Sequence, residues 1–388
     1  MRIGIVVSHP IQYLVPLFRR LAAHPQTQVH VLYLCRAGVD EYYDEQFARE
    51  VRWDLPLLEG YSSTFLSSGV APGSNFSGVF RAVSRARFDV LVVHGYSTVE
   101  SLAAITAGKL VGSKVLLRGD TRLLARHGNR LGWKAWAKRA IFSVADGFLA
   151  IGTRNRDYYL AHGVRPERVF AAPFCVDNAF FALTEERRRS LRGSVRDRFG
   201  IADSAVVFLS LGKLTAQKRV DDAIGAFLAV CGQIPEAVLL IAGSGPEEAD
   251  LRQRAAAAAR ACIHFTGFVN QPQIPELFAA ADVFVFPVAA PEAWGLVLNE
   301  AMAAGLPVLT SDEAGAAIDL VDGKGTGYVF KCGDRAELAS AMSKMAGNPD
   351  ERAAMANRAK DLIRRYDIDA CADACISAAR SVSRPDTA

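Results

Sequence analysis

The chain has 388 residues, 51% of them hydrophobic and 22% charged. This excludes wholesale disorder and allows two packed cores, since single cores stop growing at roughly 250–300 residues. The net charge of +4 is unevenly spread: residues 1–175 carry 22 Lys and Arg against 13 Asp and Glu, the remainder 23 against 28. A basic first half suits an anionic partner (a phosphorylated acceptor, a membrane surface or a nucleic acid) and equally suits ordinary surface charge.

The seven cysteines form no CxxC pair and no Cys/His cluster with zinc spacing, so reduced, buried thiols and a cytoplasmic location are expected. The N-terminus, "MRIGIVVSHPIQYLVPLFRRLA", lacks a cleavage-site signature and reads as a first strand and helix. No run of 18 or more residues is uniformly apolar and uncharged, so no membrane span is expected.

In chain order, apolar runs at 3–8, 29–34, 89–95, 114–119 and 147–152 read as buried strands, with helical patterns such as "LVPLFRRLAAH" and "TVESLAAITAGKLVG" between them. Alternation of this kind indicates a parallel sheet covered on both faces. Over 121–142, "TRLLARHGNRLGWKAWAKRAIF" spaces Arg122, Arg126, Arg130, Lys134 and Lys138 at intervals of four, with Trp133 and Trp136 among them. Such a stripe suits an anionic membrane interface or a lipid-linked diphosphate; it also fits a solvated face with the Trp rings in a core. No nucleic-acid recognition motif accompanies it.

The pattern weakens over 176–203, where "TEERRRSLRGSVRDRFGIADS" is charged, and restarts with apolar runs at 205–214, 237–245, 263–269, 282–288 and 306–312. Two Rossmann-like domains are therefore expected, 1–180 and 181–366. A last helical stretch within 367–388 is positioned to cross back to the first domain.

Ligands of open parallel sheets sit beyond the carboxyl ends of the strands, so the residues just after the second-domain strands are the candidates. "GKLTAQKR" places Lys213 and Lys218 in a strand-to-helix loop, where two ammonium groups could neutralise a diphosphate. "GSGPEE" offers Gly243 and Gly245 for a tight turn and a close backbone approach to a ligand. In "PEAWGLVLNEAMAAGLPVLTSD", a turn at Trp294–Gly295 leads into a helix from Leu296 that ends at Gly305, before Pro307. The first N–H groups of such a helix form an anion site. Glu292 precedes it and Glu300 lies just over one turn inside. One carboxylate could grip hydroxyls on each side of a phosphate.

These segments, with "HFTGFV", "LFAAADVFVFP" and "GKGTGYVFKCGDRAELASAM", resemble in order and spacing the retaining glycosyltransferases of family 4, with their GT-B fold and E-x7-E signature. The likeness spans about 204–345. "SHPIQYLVPLFRRLA" and "WDLPLLEGY" in the first half are more loosely similar to a subset of that family. The resemblance implies two Rossmann-like domains facing each other across a cleft. It implies transfer of a hexose-type sugar from a nucleotide-diphosphate sugar, with retention of configuration, no metal and no cofactor beyond that co-substrate.

Residue by residue, the resemblance assigns Glu292 to donor-sugar hydroxyls, Glu300 to the ribose, and Lys213 and Lys218 to the diphosphate. Gly295 and Leu296, beside Trp294, would offer N–H groups to the distal phosphate. Gly267, Phe268 and Val269 would line the base. The first domain departs from the family: "SHPIQY" replaces a Gly-Gly loop and "LLRGDTR" stands where a histidine is usual. Arg118, Asp120 or His94 are candidates for the histidine's role, and His9, Gln12 and Tyr13 are candidates for the cleft side. Expected partners are the nucleotide-sugar donor, a glycan or lipid-linked acceptor and the inner face of an anionic membrane, without nucleic acid. A sugar-nucleotide 2-epimerase and a non-catalytic subunit are the alternatives.

Overall fold

The computed structural model describes residues 1–71, 75–122, 133–234, 236–257 and 262–383. Its strands are β1 (Arg2–Val7), β2 (Gln28–Tyr33), β3 (Tyr42–Asp44), β4 (Arg49–Val51), β5 (Ser62–Phe65), β6 (Val90–His94), β7 (Lys114–Arg118), β8 (Gly147–Ala150), β9 (Val169–Ala171), β10 (Val207–Leu211), β11 (Val238–Ala242), β12 (Ile263–Gly267), β13 (Val283–Phe286), β14 (Val308–Ser311) and β15 (Gly327–Phe330). The chain divides into two compact units. One holds Met1–Tyr42, Leu55–Cys175 and Ile368–Ala388; the other holds Tyr43–Asp54 and Val176–Asp367.

The first unit is a parallel sheet in the order β5-β2-β1-β6-β7-β8-β9. Its central strands are buried along almost their whole length because helices cover both faces, which is why they read as unbroken apolar runs. On one face, Leu17, Phe18 and Leu21 of the helix Val15–Ala23 pack with Cys371, Cys375 and Ile376 of the helix Ile368–Ser383. On the other, Val79, Val83, Ala103 and Ala107 pack against Val6, Leu91 and Val93. The helix Phe76–Ala86 is capped by Asn75, and the helix Val99–Leu110 by Thr98, each side chain accepting a first-turn backbone N–H.

The second unit is a parallel sheet in the order β12-β11-β10-β13-β14-β15. Its approach segment, read from sequence as a charged junction, is the helix Glu185–Phe199. Thr184 caps its start, Glu185 and Glu186 sit in the first turn, and Gly200 ends it at φ 63°. The charge on this helix has a structural job. Arg196, fully buried, donates to Asp282 at 2.8 Å and to the carbonyls of Ala202, Asp203, Ala205 and Ala280.

Two expected boundaries need correction. The division falls after Cys175, and residues 43–54, expected in the first domain, pack with the second unit. There β3 and β4 pair as a separate two-stranded ribbon. Phe47 meets Phe268 edge-on with ring centroids 5.2 Å apart, and Ser244 Oγ donates to the Phe47 carbonyl at 3.0 Å.

Candidate functional site

In the second unit β10 is paired with β11 on one side and β13 on the other. The chain runs outward to β11 and β12 and then crosses to β13, so the gap between β10 and β13 is the topological switch point, where loops on either side diverge and leave a crevice. Lys218 follows β10 and Glu292 follows β13. Lys218 Nζ donates to Glu292 Oε2 at 2.5 Å, bridging that point. Gln217, between the two lysines, donates to the Pro291 carbonyl at 2.9 Å and takes a bond from the Ala289 N–H at 2.8 Å, which ties the two loops together. The Lys218 ammonium also lies 5.1 Å from the centre of the Phe286 ring.

Lys213 points to a different partner. Its Nζ lies 3.1 Å from Asp44 and 2.9 Å from Gln46 Oε1, and 4.7 Å from the centre of the Phe47 ring. The two lysines thus sit in one loop but answer to separate carboxylates.

The glycines expected to admit a ligand first admit backbone. A Cβ on Gly243, at φ 135°, would stand 1.8 Å from the Gly212 carbonyl oxygen, and one on Gly245 would stand 2.4 Å from that of Leu214. The loops after β10 and β11 are zipped together, with Leu214 N bonded to Ser244 O and Glu247 N to Leu214 O. The lysine loop is therefore rigid where it leaves the sheet.

The helix after β13 runs Leu296–Ala303 and begins directly after Gly295, which holds φ 97° under the Phe286 ring. Trp294 is buried; its Nε1 donates to Asn299 Oδ1 at 2.8 Å, and its carbonyl takes the Ala316 N–H. This fixes the turn and leaves the first amides of the helix at the strand ends. Glu300, 9% exposed, accepts from Gln271 Nε2 at 3.3 Å. Burial pushes its carboxyl up to about 7, against the bond from Gln271. A half-protonated carboxyl with one long hydrogen bond has unused acceptor capacity for a ligand hydroxyl. Gly267 turns at φ 76° at the end of β12, and Phe268 after it carries Arg49 over its ring at 4.4 Å; Val269 follows in the loop. Among the described residues no cluster of His, Cys, Asp and Glu could hold a metal ion.

Residues 192–362 match the family model of glycosyl transferases group 1. That stretch lies within the second unit. Alpha-D-kanosaminyltransferase of Streptomyces kanamyceticus is 29% identical over 241 residues, covering 61% of this chain and 61% of that protein. A GDP-mannose-dependent alpha-(1-6)-phosphatidylinositol monomannoside mannosyltransferase of Mycolicibacterium smegmatis is 31% identical over 263 residues, covering 63% and 66%. The chain spans less than two-thirds of the length of these relatives. Among solved structures, Anabaena HepE in complex with UDP superposes with a TM-score of 0.77 at 19% identity, over 98% of this chain and 100% of that one. WaaG, a glycosyltransferase involved in lipopolysaccharide biosynthesis, does so at 0.66 and 19%, over 99% and 100%. The fold is GT-B.

The first-unit candidates are set differently. Arg118, a candidate for the family histidine's role, is the last residue of β7 and only 4% exposed. Its guanidinium faces Cys371 and Cys375, each Sγ at 3.8 Å, because the helix Ile368–Ser383 covers it. His94 ends β6 beside it and meets Phe18 edge-on. Burial and the Arg118 charge bring its ring down to about 3, so it is neutral at pH 7. Both line a small space with Ile3, Leu17 and Val92. Asp120 is exposed, His9 Nδ1 lies 2.9 Å from Ser8 Oγ, and Tyr13 packs on Phe174 at 5.8 Å; Gln12 is half-buried. Of the basic stripe, Arg126 and Arg130 and the side chains of Trp133, Lys134 and Trp136 lie outside the described residues. Arg122 is buried, and Lys138 lies over the Tyr158 ring at 5.4 Å. No helix among the described residues is long and apolar enough to cross a membrane.

Sequence reasoning missed Asp44, Gln46, Gln217 and Gln271. Gln217 was readable, since it lies inside "AQKR" between the lysines. The others come from loops whose destination no local pattern encodes.

Proposed function

We propose that the protein transfers a hexose-type sugar from a nucleoside-diphosphate donor to an acceptor hydroxyl with retention of anomeric configuration. The observation that carries this reading is the Lys218–Glu292 pair bridging the switch point at 2.5 Å, beside the start of the helix Leu296–Ala303, within a glycosyltransferase domain. Glu292 holds donor-sugar hydroxyls and keeps Lys218 in place; Lys218 and Lys213 face the diphosphate. The Gly295 and Leu296 amides receive the distal phosphate at the positive end of the helix. Glu300 accepts ribose hydroxyls, and the backbone at Gly267–Val269 lines the base.

In the transfer the sugar C1–O bond to the phosphate breaks. The acceptor oxygen bonds to C1 on the same face, and its proton passes to the departing phosphate oxygen. Two ammonium groups and the helix amides offset the charge that develops on that oxygen, the contribution a divalent cation makes in other transferases. The acceptor is a glycan or a lipid-linked sugar. This is supported by the basic first half and by the likeness to a phosphatidylinositol monomannoside mannosyltransferase.

A thermal-shift panel of nucleoside diphosphates tests the donor half, since a ligand of the folded state raises its apparent stability. One base should stand out; a flat panel overturns the reading. With the donor identified, proton NMR of the product should show the donor's own anomer, unchanged by EDTA. Sedimentation with anionic vesicles at low salt tests the membrane-proximal acceptor, and absence from the pellet removes it.

A further inference from the structure

Residues 43–54 leave the first unit and return to it, yet they pack with the second. Their contacts fall at the carboxyl ends of three adjacent strands. Asp44 and Gln46 hold Lys213, after β10. The Phe47 carbonyl takes Ser244 Oγ, after β11. The Phe47 ring meets Phe268, after β12, and Asn270 Nδ2 donates to the Arg52 carbonyl at 3.0 Å. In an open parallel sheet this edge is the ligand edge, and here a segment of the chain already lies along it.

The chemistry of the contact is specific. Asp44 Oδ1 accepts the backbone N–H groups of Gln46 at 2.9 Å and Phe47 at 3.0 Å, which close the turn between β3 and β4. Both its oxygens lie within 3.3 Å of Lys213 Nζ. Burial works against its ionisation, but the Lys213 ammonium and the two amides more than offset this and hold its carboxyl below the ordinary range. A fixed anion therefore sits on the ammonium that the donor reading gives to a phosphate. An aromatic ring stands one step along, beside the β12 loop.

We propose that residues 43–54 form a strap over the nucleotide site, in which the Asp44 carboxylate occupies the phosphate position on Lys213 until a nucleoside diphosphate displaces it, and Phe47 forms a wall of the base pocket with Phe268. The inference rests on the donor reading above. A ligand without a phosphate cannot compete with Asp44 for Lys213.

Asp44→Asn keeps the side-chain oxygen that closes the turn and removes only the charge. Isothermal titration with UDP, GDP, ADP and TDP should show Asp44→Asn binding the preferred diphosphate about fivefold more tightly than the wild type, the worth of a partly exposed ion pair. The gain should vanish when Lys213→Met is added, and Phe47→Ala should weaken the same diphosphate about tenfold through lost ring contact. Unchanged or weaker binding by Asp44→Asn overturns the strap, as does a gain that survives Lys213→Met. If the wild type binds none of the four, the donor reading itself fails. If it binds one and Asp44→Asn binds it no better, only the strap fails.

Discussion

Arg118 and Arg196 are both buried arginines, one in each unit, and their surroundings are opposite in kind. Arg196 meets a carboxylate, Asp282, and several carbonyl oxygens, so nearly every guanidinium hydrogen has an oxygen to go to. Arg118 meets two thiols at 3.8 Å and a ring, and its Nε has no hydrogen-bond partner among the described residues. The site lysines form a third case. Lys213 and Lys218 are partly exposed, each on one carboxylate. Burial with oxygen partners makes a clamp, and burial with sulfur partners leaves a charge the fold tolerates. Partial exposure with one partner makes a contact a ligand can exchange.

The largest effect should come from breaking the clamp. Arg196→Met leaves the Asp282 carboxylate with Arg192 and the Val207 amide but without its most buried partner. A loss of about 3–5 kcal/mol in denaturant unfolding is expected. A loss below about 1 kcal/mol would show that Arg192 alone satisfies Asp282.

Next is the exchangeable pair. Lys218→Met should lower turnover about 30- to 1,000-fold, or about 2–4 kcal/mol of transition-state stabilisation, with unfolding nearly unchanged because the pair is partly exposed. Equal losses in both measurements would move Lys218 into the class of Arg196.

Glu300 sharpens the comparison by pH. Its folded carboxyl titrates near 7, above its ordinary 4.5, so between those values the folded state holds a proton that the unfolded state has lost. Stability must therefore fall as pH rises through that window, by at most about 3 kcal/mol. Glu300→Gln should flatten the decline in pH-dependent unfolding. Nucleoside-diphosphate affinity should rise as pH climbs through 7 in the wild type, since ribose hydroxyls donate better to the ionised carboxylate, and should stay level in Glu300→Gln.

Much of this was legible in the chain itself, and the reasons are local. "IGIVVS" and "AVLLIAG" announce strands because a parallel sheet covered on both faces leaves no polar position along them. The helix after β13 is bounded by Gly295, Gly305 and Pro307, and its start is what makes Glu292 and the helix amides readable as one site. The ribbon of β3 and β4 was not legible. Its strands are three residues each and only half exposed, and they are held by side chains more than 160 positions away. The strand end at Arg118 was legible but its cover was not: nothing in the apolar run "KVLLR" shows that the helix Ile368–Ser383 is laid over its terminal cation.

That cover leads to the smallest expected effect. Removing Arg196 leaves behind a carboxylate, and neutralising a carboxylate at pH 7 costs about 4 kcal/mol, three pKa units above its ordinary value near 4. Removing Arg118 leaves behind thiols, whose ordinary value near 8.5 already favours the neutral form at pH 7. Hydrogen bonds from Cys175 and Cys375, with the Arg118 charge, hold Cys371 well below that range. In Arg118→Met the bonds from Cys175 and Cys375 remain, and no buried carboxylate is left without its partner. The substituted side chain fills similar apolar volume against Phe174 and the space lined by Leu17 and Val92. Arg118→Met should therefore unfold within about 1 kcal/mol of the wild type in a denaturant titration. A loss as large as that of Arg196→Met would mean that the two buried arginines are equivalent clamps and that sulfur serves Arg118 as well as oxygen serves Arg196.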